Sequence, residues 1–166
     1  MTKKDSVPVR ALSASYKELS AAASELNTAS DELGRSISVL DAALKKLNLG
    51  IPTWVNIQEW HDQSGEYYTI DKLGYAKVGG KWGIALRTAD GSYNYPDDEK
   101  SEEWLFNEAP RSLRISAIDK IPDLLERLIK EAQAMIKKVR DKGARARELA
   151  EAISQATSDK DIESLL

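Results

Sequence analysis

Eleven positions between residues 12 and 47 recur at alternating spacings of four and three: Leu12, Tyr16, Leu19, Ala23, Leu26, Ser30, Leu33, Ile37, Leu40, Leu44 and Leu47. All but Ser30 are apolar or alanine. A repeat averaging 3.5 residues keeps one stripe on one face of an α-helix, so this stretch is predicted to form a rod about 54 Å long. The positions beside the stripe are small. Ser15, Ala22, Ala29, Ser36 and Ala43 lie on one side and Ser13, Ser20 and Gly34 on the other, leaving room for a partner helix to approach closely. Gly50, followed by Ile51 and Pro52, predicts the stop, a glycine C-cap and then a residue that cannot continue the helix.

The same alternation returns after Pro110. Ile118, Ile121, Leu125, Leu128, Ala132, Met135 and Val139 keep it, and Ala146, Leu149, Ile153 and Ala156 continue the frame. Pro110 suits a first helical turn, whereas Pro122 is predicted to kink the rod or to start a new helix after Asp119. Gly143 is a second weak point. Ser158 with Asp161 resembles the cap of a short terminal helix carrying Ile162, Leu165 and Leu166. Two seams in one chain are most simply satisfied by folding back as an antiparallel pair, with pairing between molecules as the alternative. Leu124, Ile129 and Ile136 widen the second apolar face and favour a dimer or a larger bundle.

Between the arms the composition changes. Residues 54–106 hold all four tryptophans, five of the six tyrosines, the sole phenylalanine and the sole histidine. In LGYAKVGGKWGIAL, Gly79 and Gly80 predict a two-residue hairpin turn. Counted outward from it, Lys77 opposes Trp82, Tyr75 opposes Ile84 and Leu73 opposes Leu86 on one face. The other face pairs Ala76 with Gly83 and Gly74 with Ala85, bare enough for an arm to pack there. TWVNIQEW and EYYTID read as further strands, Ala89 to Glu103 as a polar loop, and EWLFN as an edge strand. The expected fold class is α+β: long antiparallel heptad-patterned helices enclosing a three- to four-stranded antiparallel β-meander. The expected division is an N-terminal helix in 1–50, a β module with an acidic loop in 51–109, and a C-terminal arm in 110–166 kinked near Pro122 and Gly143, all in one folding unit.

Composition narrows the function classes. The 166 residues suffice for a single domain, and a formal charge of −3 supplies no overall attraction to nucleic acid or anionic lipid. Without cysteine there is no disulfide, thiolate nucleophile or sulfur-ligated metal, and His61 alone excludes two-histidine metal sites within one chain. MTKKDSVPVR runs on without an apolar h-region, and no apolar run is long enough to span a bilayer, so a cytoplasmic protein with no membrane partner is expected.

Five features resemble sites. His61 beside Asp62, with Glu59 and Glu66, has the groups of a general base or a carboxylate metal site, yet EWHDQSGE also reads as an exposed turn. VGGKWG resembles a phosphate cradle, but a strand follows where a phosphate loop needs a helix. Asp97, Asp98, Glu99, Glu102 and Glu103 lack the ligand spacing of a calcium loop. The basic stretch Lys137, Lys138, Arg140, Lys142, Arg145 and Arg147 has the charge density to contact phosphates, although helical phase scatters it around the rod. The aromatic side chains are the fifth feature. Burial accounts for Tyr75 and Trp82, and Trp60, Tyr67, Tyr68, Tyr93 and Tyr95 are the candidate partner-binding surface. No catalytic residue, metal ligand set or cofactor signature is assigned. The expected function is therefore a non-enzymatic interaction or scaffold protein that oligomerises, most simply as a homodimer, and presents an aromatic-rich β module to a protein partner. A nucleic-acid accessory protein using residues 137–147 is the alternative, and a carboxylate-dependent metal hydrolase near His61 the second.

Overall fold

The computed structural model describes residues 9–163, with side chains to residue 159. The opening residues, on which the leader reading rests, and Leu165 and Leu166 lie outside the described residues. The order is helix α1 (Val9–Lys46), strands β1 (Thr53–His61), β2 (Tyr67–Val78), β3 (Lys81–Ser92) and β4 (Lys100–Leu105), then helices α2 (Arg111–Ala117) and α3 (Ile121–Glu163). The class is α+β, a helix, a four-stranded antiparallel sheet and a long C-terminal helix. None of the described helices is long and apolar enough to cross a membrane.

The four strands form a meander in the order β1-β2-β3-β4. Gly79 and Gly80 have φ of 56° and 82°, which the turn requires, and the register Tyr75 to Ile84 and Leu73 to Leu86 follows as counted. EYYTID and LGYAKV are one strand, β2, rather than two. The reading of Ala89 to Glu103 as a loop is also corrected: β3 continues to Ser92 opposite Tyr67, and β4 begins at Lys100 opposite Asp90. Polar residues occupy strand positions here because neighbouring rungs satisfy them.

Helices cover the face of Leu73, Tyr75, Ile84 and Leu86, which pack with Ile37 and Leu44 of α1, Phe106, Leu113 of α2, and Leu124 and Leu128 of α3. The expected packing of an arm on the glycine face does not occur. Apolar area decides it, since each fully buried leucine is worth about 1.5–3 kcal/mol and the glycine face offers none. Side chains of neighbouring strands fill that face instead: the Trp54 ring lies over Gly74 and the Tyr68 phenol over Gly91. Only at the edge does α1 reach it. There β4 has ended and the Ile84 N–H donates to Asp41 Oδ1 at 2.7 Å, beside Gly83.

The helix boundaries differ from expectation in three places. Helix α1 stops at Lys46, before Gly50, because Asn48 itself takes the left-handed conformation at φ 49° and donates its N–H to the Lys45 carbonyl. As expected, a new helix starts after Asp119, with Ile121 first and Pro122 in its opening turn, but α3 then runs on through Gly143. The terminal cap at Ser158 is absent: α3 continues past it, and the Ser158 hydroxyl donates back to the Ser154 carbonyl at 3.0 Å.

The seams do not pack on each other within the chain. The inward positions of α1 are Ser30, Gly34, Ile37, Asp41 and Leu44, and those of α2 and α3 are Ala117, Ile121, Leu124 and Leu128, all turned to the sheet and its flanking turns. Leu124 is therefore the core residue, and Leu125 faces outward. Beyond these contacts the helices are largely exposed, with Asn27 accepting from Arg111 at 2.8 Å. Residues 9–29 and 133–159 are exposed throughout, with Leu12 at 64 %, Leu19 at 66 % and Ile153 at 68 % exposure.

Candidate partner-binding site

The helix-covered face of the sheet is apolar over only half its length. Beyond Leu73 and Leu86 the same face carries Asp71 and Thr88, then Thr69 and Asp90, then Tyr67 and Ser92. Asp71 marks the border, with Gln58 Nε2 donating to one carboxylate oxygen and Thr88 Oγ1 to the other, each at 2.6 Å. On the next rung Thr69 Oγ1 donates to Asp90 at 2.6 Å. The helices stop short of this half, where Trp60 is 60 % and Tyr67 52 % exposed.

A cleft of about 460 Å³ lies here. Trp60, Tyr67, Thr69, Asp90 and Ser92 line it from three strands, Lys100 from the start of β4, and Tyr95 and Asp98 from the β3–β4 connection, with Tyr68 and Gly91 in the wall between. That connection is short and internally bonded. The Tyr95 N–H donates to the Ser92 carbonyl at 3.2 Å and the Asp98 N–H to the Tyr95 carbonyl at 3.1 Å, so the loop projects both side chains from a fixed backbone. A β-bulge at Ile57 positions Trp60. It shifts the register between Asn56 and Gln58, so that Val55, Gln58 and Trp60 share a face that strict alternation denies them.

Of the five expected partner-binding aromatics, Trp60, Tyr67, Tyr68 and Tyr95 thus line the cleft, and Tyr93 does not. Tyr68 reaches it from the back of the sheet, where it lies against Tyr93. Their rings lie 4.8 Å apart, Tyr93 stacks on His61 at 6.0 Å, and the Tyr68 hydroxyl donates to Glu99 at 2.6 Å. That bond, reinforced by burial and the Glu99 charge, pushes the Tyr68 phenol above its ordinary pKa.

The remaining candidates are dispersed. His61 Nε2 lies 2.9 Å from Glu59 on the back face, while Asp62 accepts the Ser64 hydroxyl at 2.6 Å and the Tyr67 N–H at 3.0 Å. These bonds, the Ser64 hydroxyl first, hold the Asp62 carboxyl below its ordinary value and make it the organiser of the β1–β2 turn. Among the described residues, no three histidine, aspartate or glutamate side chains gather to hold a metal ion. The acidic run also separates: Asp98 lines the cleft, Glu99 meets Tyr68, and Glu103 pairs with Arg87, whose guanidinium lies 4.4 Å over Trp54. Lys137, Lys138, Arg140, Lys142, Arg145 and Arg147 all lie on the bare part of α3, where Arg145 pairs with Glu148 at 2.9 Å.

Sequence reasoning missed Thr69, Asp90, Ser92 and Lys100. The first three were within reach, since the hairpin register carried further places Thr69 opposite Asp90 and Tyr67 opposite Ser92. Fold and cleft together define an α+β protein with an open, aromatic-lined surface site. The chain matches no family model, no curated protein and no solved structure.

Proposed function

We propose that this chain is a non-enzymatic interaction protein, in which the helical arms assemble, most simply into a homodimer, and the aromatic cleft receives a protein partner. One observation carries the reading: the heptad stripes run on past the body of the protein and are exposed there among the described residues. A helix in a folded protein draws most of its stability from packing its apolar face, and among the described residues those from 9 to 26 are exposed throughout. Leu12, Tyr16, Leu19 and Leu26 on α1, with Met135, Val139, Leu149 and Ile153 on α3, are exposed at seam positions. Neighbouring Ser15, Ala22 and Ala29 permit close helix approach. Multi-angle light scattering across a concentration series tests this. A mass of at least two chains is expected, and Leu19→Glu combined with Leu26→Glu should return the protein to one chain. A wild-type mass of one chain at every concentration overturns the assembly half of the reading.

A second reading rests on the placement of the basic stretch. All six cations stand clear of the sheet on the exposed arm, accessible to phosphates. Fluorescence anisotropy with single-stranded oligonucleotides would then show binding that weakens with salt and with neutralisation of Lys137, Lys138 and Arg140. Absence of binding at low salt removes it.

A further inference from the structure

We infer that the cleft at the open end of the sheet binds a cationic side chain, an arginine or lysine carried by a basic segment of a partner polypeptide. The inference rests on reading the β module as a partner-binding surface; it does not depend on how the arms assemble. Four aromatic residues, Trp60, Tyr67, Tyr68 and Tyr95, line one open cleft. The face of such a ring carries negative potential and attracts an ammonium or guanidinium group, tryptophan most strongly.

The charges around the rings select among ligands. Asp90 and Asp98 both line the cleft, and Lys100 is its lysine. Lys100 stands directly opposite Asp90 in the β3–β4 register, so the two charges offset one another across the strands. Asp98 is left without a compensating cation in the lining, and Glu66, Asp97 and Glu99 lie beside cleft residues in sequence. A phosphate or a nucleic-acid backbone would meet this carboxylate excess, whereas a guanidinium or ammonium is drawn in by it. The volume, about 460 Å³, admits a long side chain together with the backbone that carries it, within the range of small-ligand sites.

The test uses the full chain and four probes: N-acetyl-arginine amide, N-acetyl-lysine amide, methyl glucoside and inorganic phosphate. Binding is followed by NMR on the Trp60 indole and the backbone amides of Tyr67, Thr69 and Lys100. The two cationic amides are expected to shift these signals saturably and to lose affinity as salt is raised. Trp60→Ala should abolish the response. Asp98→Asn, a change at an exposed side chain, should weaken binding by about tenfold, equivalent to ~1.4 kcal/mol, while leaving the light-scattering mass unchanged. Response to the glucoside alone would make the cleft a carbohydrate site and overturn the inference; response to phosphate alone would do so in favour of an anion. Silence from all four probes overturns it outright. Cation binding retained in a chain that proves monomeric removes only the assembly half of the proposed function, and assembly without cation binding removes only this inference.

Discussion

Asp41 joins two elements that would otherwise leave a strand donor unpaired. Its Oδ1 accepts the Ile84 N–H at 2.7 Å where β4 no longer reaches, and its Oδ2 lies 2.6 Å from Lys45 Nζ. Asp41→Ala strands that amide at a partly buried edge and is expected to cost about 1–3 kcal/mol, read from the midpoint of urea unfolding at constant m-value. Asp62 does a similar service for a turn, and here the sign of the pH dependence is fixed. Its folded pKa lies below the ordinary 3.8, so its contribution is present above that value and is lost as the pH falls through the lowered one. Asp62→Asn should therefore flatten the acid limb of unfolding below pH 3.8, followed by circular dichroism, relative to wild type. Tyr75 responds at the opposite end of the scale. Burial, with Asp41 close by, raises its phenol, so its neutral form supports the fold up to its ordinary 10.0 and that support fades as the pH rises through the folded value.

At the level of elements, the decisive features are a bulge and a glycine. Ile57 is one extra residue in β1, and because it bulges out of the ladder Trp60 stays on the cleft side. Deleting Ile57 removes the extra residue while Gln58 keeps facing Asp71 and Trp60 keeps facing Thr69, so Trp60 is expected to stay on the cleft side of a now regular strand. A Trp60 response to N-acetyl-arginine amide retained in this variant, with its far-ultraviolet spectrum unchanged, would report this; loss of the response would show that the faces had reversed. Gly143 is the reverse case, a position that sequence marked as a weak point and through which the helix continues. A Cβ added there meets nothing within 4 Å, so Gly143→Ala relieves only backbone entropy and is expected to raise the local stability of the arm helix by about 0.5–1 kcal/mol, seen as greater helical ellipticity and slower amide exchange around residue 143 with the melting temperature of the body unchanged.

For the whole molecule, the sheet and its helical cover share one core cluster, to which the exposed arms add no residue. The core residues lie between Ile37 and Leu128, and none comes from 9–29 or 133–159. Deleting residues 1–26 should therefore leave the unfolding of the dilute protein unchanged. The same deletion is expected to abolish the rise of melting temperature with concentration that an assembling chain shows. Retention of that rise in the truncated chain would place the interface elsewhere.

Periodicity made most of the fold legible. The heptad spacing specified the helices, and the glycine pair at 79 and 80 set the hairpin register, because both depend on local geometry that repeats along the chain. The tyrosine pair at 67 and 68 was bound to split between faces for the same reason. What faces what was a different matter. Leu124 and Leu125 are equally apolar in sequence, and only the position of the sheet decided that the first is core. Trp60 reaches the cleft through a bulge that no residue type announces, and Asp98 reaches it through a loop whose bonds form only once β3 and β4 are paired. Local chain geometry is written residue by residue, whereas the choice of face is made by the apolar area that distant segments bury together, and that sum exists only in the folded chain.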